Sequence, residues 1–144
     1  MKNQDYQTTF TVGNSPNEVY EQINNVPAWW SSVFVGSAAT VDDVFKVTFG
    51  KTWIELRVTE QVPGKKVRWL VTDCWKDWLE NKKEWVDTEI IFDLVPEGTG
   101  TRINFEHIGL VPELPCYKGC EGAWAYYLKD SLVKLLTGGK GGPE

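Results

Sequence analysis

The sequence predicts one α+β domain, residues 1–144, in which a curved antiparallel sheet packs against a long amphipathic C-terminal helix. Three observations carry this. Apolar residues alternate with polar ones through most of the chain up to His107, the period of strands with one buried face. The alternating segments are joined by short Gly- and Pro-containing turns, which antiparallel strands permit and parallel strands do not. Near the end the period changes: Cys120, Trp124, Tyr127, Leu128, Ser131, Leu132 and Leu135 recur at helical spacing.

In chain order, Tyr6, Thr8, Phe10 and Val12 share one face of a first strand, which Gly13 and Asn14 end. Ser15, Pro16 and Glu18 form a capping box with proline at the first helical position, so a helix begins there with Val19, Tyr20 and Ile23 inward. Pro27 opens a second short segment carrying Ala28, Trp29 and Trp30. A weak strand is expected over Ser37 to Val41, before the Asp42-Asp43 turn. Phe45, Val47 and Phe49 alternate next, then Ile54, Leu56 and Val58 after a Gly50-Lys51 turn, then Val67, Trp69 and Val71 after Pro63-Gly64. Asp73 to Lys83 does not alternate and reads as an ordered loop or helical turn. Strand patterning resumes with Val86, Thr88, Ile90, Phe92 and Leu94 on one face and Trp85, Asp87, Glu89, Ile91 and Asp93 on the other. Pro96 to Gly100 makes a hairpin to Ile103, Phe105 and His107. A loop from Gly109 to Pro115 leads into the final helix, which Gly138-Gly139 stops; residues 138–144 are expected to form a flexible tail.

Composition excludes several function classes. The net charge of -5 disfavours a phosphate-binding surface, and the clusters Lys65, Lys66, Arg68 and Lys82, Lys83 sit beside turns, so no nucleic-acid partner is expected. Three cysteines, Cys74, Cys116 and Cys120, do not describe a disulfide framework. With no apolar leader and no membrane span expected, the predicted location is cytoplasmic. The Gly138 to Gly142 run follows a helix, so it is a terminator and not a phosphate loop. Cys116 and Cys120 fall one turn apart on a helix, but a single histidine and no second close cysteine pair give no zinc set; neither metal nor cofactor is expected. What does stand out is aromatic content: eight Trp, five Tyr and six Phe, enough to line a groove or cavity as well as a core.

The segment SPNEVYEQI, the Trp29-Trp30 pair, GTRINFEHIGL from Gly100 to Leu110, and Gly122–Trp124 leading into SLVKLLTGG occur in an order that resembles the START-like (SRPBCC) superfamily. Within it the chain is most similar to the branch related to the C-terminal domain of the activator of Hsp90 ATPase. The resemblance spans nearly the whole chain. It implies a helix-grip fold, with seven antiparallel strands around the C-terminal helix and an internal apolar cavity that binds hydrophobic molecules. It also admits contact with Hsp90, although the separate N-terminal domain of the eukaryotic activator is not represented; between a monomer and a homodimer the sequence does not choose. Ala28 stands before Trp29 where relatives carry an Arg-Trp-Trp type cluster, which removes a charge from that mouth.

Parity places Val47, Phe49, Ile54, Leu56, Val67, Trp69, Ile90, Phe92, Ile103 and Phe105 inward, met by Trp124, Tyr127 and Leu128 from the helix. The ligand-binding candidates are Trp69, Phe92, Phe105, His107, Trp124, Tyr127 and Leu128. A solid core is the competing account of the same residues. His107 is read first as a hydrogen-bonded structural residue, with proton transfer or ligand orientation as alternatives. The pairs Trp29, Trp30 and Trp75, Trp78 are candidates for a lid or entrance, with helix-on-sheet packing as the other reading. Asp87 and Glu89 share a strand face that points to solvent, away from acid/base work in a cavity. The preferred function is binding of a small hydrophobic molecule. The rivals are a non-redox cyclase or hydrolase using His107 or Tyr127, with no catalytic residue assigned, and a chaperone-associated interaction domain.

Overall fold

The computed structural model describes residues 5–112, 114 and 117–143. Its strands are β1 (Tyr6–Val12), β2 (Val33–Gly36), β3 (Val44–Phe49), β4 (Thr52–Val62), β5 (Lys66–Trp75), β6 (Glu89–Glu97) and β7 (Gly100–Ile108). They form one seven-stranded sheet in the order β1-β7-β6-β5-β4-β3-β2, with every pair antiparallel. Helix α1 (Pro16–Asn24) begins at the predicted capping box, with Ser15 and Glu18 bonded reciprocally. A 3-10 turn, Val26–Ala28, follows it.

The C-terminal helix runs as α2 (Tyr117–Ala125), a π-helical segment (Tyr126–Leu132) and α3 (Val133–Gly138). The π segment falls within a row of residues spaced by four. Cys120, Trp124, Leu128, Leu132 and Leu136 are spaced by four, and an α-helix advances about 40° too far at each such step. The wider π turn from Tyr126 to Leu132 offsets part of that drift, and all five are buried. Gly139, at φ 79°, ends the helix in the left-handed conformation that glycine tolerates.

Two bulges bend the sheet around this helix. Between β4 and β5 the register shifts at Glu55/Leu56 and at Val58/Glu60, leaving Thr72 and Thr59 as extra residues. Both hydroxyls reach across the strand pair: Thr59 donates to the Arg68 carbonyl at 3.1 Å, and Thr72 Oγ1 lies 2.9 Å from a Glu55 carboxylate oxygen and 3.2 Å from the Glu55 carbonyl.

Two local expectations need correction. The strand expected at Ser37 to Val41 is displaced: the paired segment is β2, and Ser37 to Asp43 form a loop cinched by the Asp43 carboxylate, which accepts from Ser37, Ala39 and Thr40. The strand expected from Trp85 begins only at Glu89, because Asp87 takes a positive φ of 72° and turns the chain. Trp85 is consequently buried rather than placed on the outer face. Beyond the helix, the Gly142 N–H donates to Ser131 Oγ at 2.8 Å and the Gly142 carbonyl accepts from Tyr126 Oη at 2.7 Å.

Candidate functional site

At its N-terminal end the helix presents small residues, Gly119, Cys120 and Ala123, and there sheet and helix do not close on each other. A pocket of about 290 Å3 results. Phe49, Thr52 and Ile54 of the β3–β4 hairpin form one wall; Trp30, Trp85, Trp124 and Tyr127 supply most of the remaining aromatic surface. Trp78, 58% exposed, stands at the mouth, with its ring 3.8 Å from where a Cβ on Gly119 would lie. The lining is mainly aromatic and apolar, with one charged side chain, Lys76.

Lys76 reaches this position because of the Thr72 bulge. Unbroken alternation from Val67 would turn Asp73 and Trp75 inward. The extra residue inverts the parity, so that Cys74 is buried and Trp75 stands half out of the surface. Lys76, next in the inverted alternation, is only 5% exposed. Its Nζ lies 3.9 Å from the centroid of the Trp85 ring and 5.4 Å from that of Trp78. Among the described residues no carboxylate lies within ion-pair distance of it; the neighbouring Lys83 is the one that pairs with Asp73, at 2.6 Å. A desolvated cation–π contact contributes about 2 kcal/mol. Withdrawing an ammonium from water costs several kcal/mol. The rings offset part of that cost, and no carboxylate of the described residues supplies a counter-ion.

Behind the pocket lies a closed polar network. His107 is fully buried. Trp124 Nε1 donates to its Nδ1 at 3.1 Å, and its Nε2 lies 2.9 Å from Thr88 Oγ1. The Thr88 hydroxyl spends its only proton on the Trp85 carbonyl, at 2.6 Å, so it accepts from Nε2–H. The imidazole is therefore the neutral Nε2–H tautomer. A second proton on Nδ1 would face the indole N–H of Trp124, donor against donor. Burial, with the positive charge of Lys76 adding to it, pushes the pKa down from 6.5 to about 3. The Trp85 ring packs edge-on against His107 with centroids 4.5 Å apart and stacks on Trp124 at 6.0 Å. Trp85 Nε1 is buried without a hydrogen-bond partner.

Of the seven candidate ligand-binding residues, the structure brings Trp124 and Tyr127 to the pocket surface. Trp69, Phe92, Phe105 and Leu128 lie in the packed core, and His107 sits behind Trp85 and Trp124. The two tryptophan pairs divide: Trp30 and Trp78 line the pocket, whereas Trp29 is buried with its Nε1 bonded to the Ile23 carbonyl and Trp75 is at the surface. Asp87 is exposed, and Glu89 pairs with Arg68. Burial pushes the Cys74 thiol up, away from reactivity. Cys116 lies outside the described residues. Sequence reasoning missed Lys76 and Trp85, and the alternating pattern gave no signal for either.

A curved sheet gripping a C-terminal helix, with an aromatic pocket at one end, defines a helix-grip, START-like protein. The family model described as Activator of Hsp90 ATPase homolog 1-like protein matches residues 15–137, and the chain belongs to that family. Among solved structures it is similar to the Aha1 dimer from Colwellia psychrerythraea, at 26% identity and TM-score 0.78, over 96% of this chain and 99% of that one. The fold is shared with SSP2350 from Staphylococcus saprophyticus, at 12% identity and TM-score 0.73 over 96% and 95% of the two chains. MLL2253 from Mesorhizobium loti has it too, at 14% identity and TM-score 0.69 over 91% and 96%. No curated protein matches the chain in sequence. Among the described residues no helix is long and apolar enough to cross a membrane.

Proposed function

We propose that this protein binds a small hydrophobic molecule between the β3–β4 hairpin and the start of the C-terminal helix. The observation that carries the reading is the pocket itself: about 290 Å3 of space walled by Trp30, Phe49, Trp78, Trp85, Trp124 and Tyr127. That volume is at the small end of the range of roughly 300–1,000 Å3 in which small-molecule sites fall. It suits a compact ring system and not a long-chain lipid. Family membership supports the same reading.

Enzymatic turnover through His107 is disfavoured by its surroundings. Its two nitrogens are both engaged, it does not line the pocket, and it holds no proton to give near neutral pH. Titration with the neutral fluorophore N-phenyl-1-naphthylamine tests the binding function. One-site emission enhancement is expected for the wild-type protein, and its loss for Ala123→Phe, which places a ring in the pocket. Absence of one-site binding, or an unchanged affinity in the folded variant, refutes the proposal.

A further inference from the structure

Resting on the ligand-binding reading above, we infer that the pocket selects a small aromatic carboxylate, whose anionic group pairs with Lys76. Four features meet at this position. The Thr72 bulge turns the strand so that Lys76 follows Cys74 inward. The ammonium stands among aromatic rings with no carboxylate of the described chain in ion-pair range. Lys76 contributes to the wall of a pocket that is otherwise mostly apolar. Trp85, a residue of the same wall, buries its indole N–H without an acceptor.

An ammonium on the wall of a mostly apolar pocket, set against ring faces with no carboxylate of the described chain in range, favours a bound anion. A bound carboxylate supplies a charge-assisted hydrogen bond where screening is weakest. One ammonium balances one negative charge, so a monoanion fits and a dianionic phosphate would carry surplus charge into an apolar cavity. The body attached to that carboxylate faces indole and phenyl surfaces, which favour a planar ring through stacked and edge-on contacts.

The test is calorimetric titration of the whole chain near neutral pH with 2-naphthoate and 2-naphthamide, which share a shape and differ in charge. The carboxylate is expected to bind roughly 10- to 100-fold more tightly than the amide. Lys76→Met keeps the reach of the side chain and removes its charge; it is expected to abolish that preference and retain amide binding. The comparison within the wild-type protein stands even where the variant fails to fold. Equal binding of the two compounds, or preference for the amide, overturns the anionic class and leaves the hydrophobic pocket in place. Binding of N-phenyl-1-naphthylamine without naphthoate does the same. Failure of all three compounds to bind overturns the anionic class and the binding function together. A preference for naphthoate that persists in folded Lys76→Met overturns the assignment of the anion to Lys76.

Discussion

Acidification should destabilise this protein well above the pH at which carboxylates protonate, and the cause is one buried imidazole. His107 has an ordinary pKa of 6.5 when unfolded and about 3 when folded. The folded value is the lower one, so between these limits the unfolded chain takes up a proton that the folded chain refuses. The stabilisation is complete above pH 6.5, declines as pH falls, and is lost by about pH 3. The slope through that window is about 1.4 kcal/mol per pH unit. At pH 4.5 the loss amounts to about 3 kcal/mol, a large part of the 5–15 kcal/mol typical of a domain. The perturbation that isolates this term is His107→Gln. Its amide can accept from Trp124 and donate to Thr88 and does not titrate. Urea unfolding of both proteins from about pH 7 to pH 4.5 is the assay. Asp43 and Asp73, whose carboxyls are held low by hydrogen bonds from Ser37 and Lys83, act equally in both and cancel in the difference. The expected result is a steeper loss for the wild type, converging on the variant as pH falls. Parallel curves, or a folded-state imidazole that titrates near 6.5 by NMR, would refute the assignment of a locked neutral ring.

Two further substitutions probe the same framework. Trp124→Phe removes the N–H that faces His107 Nδ1; it should cost about 1–3 kcal/mol by leaving that nitrogen unsatisfied, and should raise the imidazole pKa measured by NMR. Ser131→Ala strips the Trp29 carbonyl of its donor and the Gly142 N–H of its acceptor. It should cost a similar ~1–3 kcal/mol and speed hydrogen exchange at Gly142, and unchanged exchange there would mean that Ser131 does not anchor the tail.

The sequence makes legible whatever obeys a simple period. Val47, Ile54, Leu56, Val67, Trp69, Ile90, Phe92, Ile103 and Phe105 all turn inward as alternation requires, and the helical stripe from Cys120 to Leu135 is buried as drawn. The capping box fixes where α1 starts because its chemistry is local. The pocket is less legible because it depends on two breaks in parity. Nothing in the run WLVTDCW marks Thr72 as an inserted residue; the bulge is decided by pairing with β4, which is a tertiary event. Nor does WVDTEI announce a left-handed aspartate, although Asp is among the residues that tolerate one. Lys76 and Trp85 follow directly from those two inversions. Tyr127 and Trp124 were accessible because they lie on the helix, whose period the π segment disturbs without reversing.

The aromatic wall serves folding and binding together, and this accounts for where the cavity lies. Trp30 stacks on Trp29 and on Trp69 and also meets Trp124, while Trp124 continues through Trp85 to His107. Each ring is held by another ring or by a hydrogen bond to a buried acceptor, so these side chains have given up their rotamer freedom during folding. A ligand that meets them has little ordering left to impose, which is the condition under which a small contact area yields useful affinity. Mostly large residues fill the helix–sheet interface from Trp124 to Leu136, whereas the turn carrying Gly119, Cys120 and Ala123 lacks the volume to do so. The space is thus a property of three small side chains set against a rigid aromatic floor, and the bulge at Thr72 is what brings a charge to its edge.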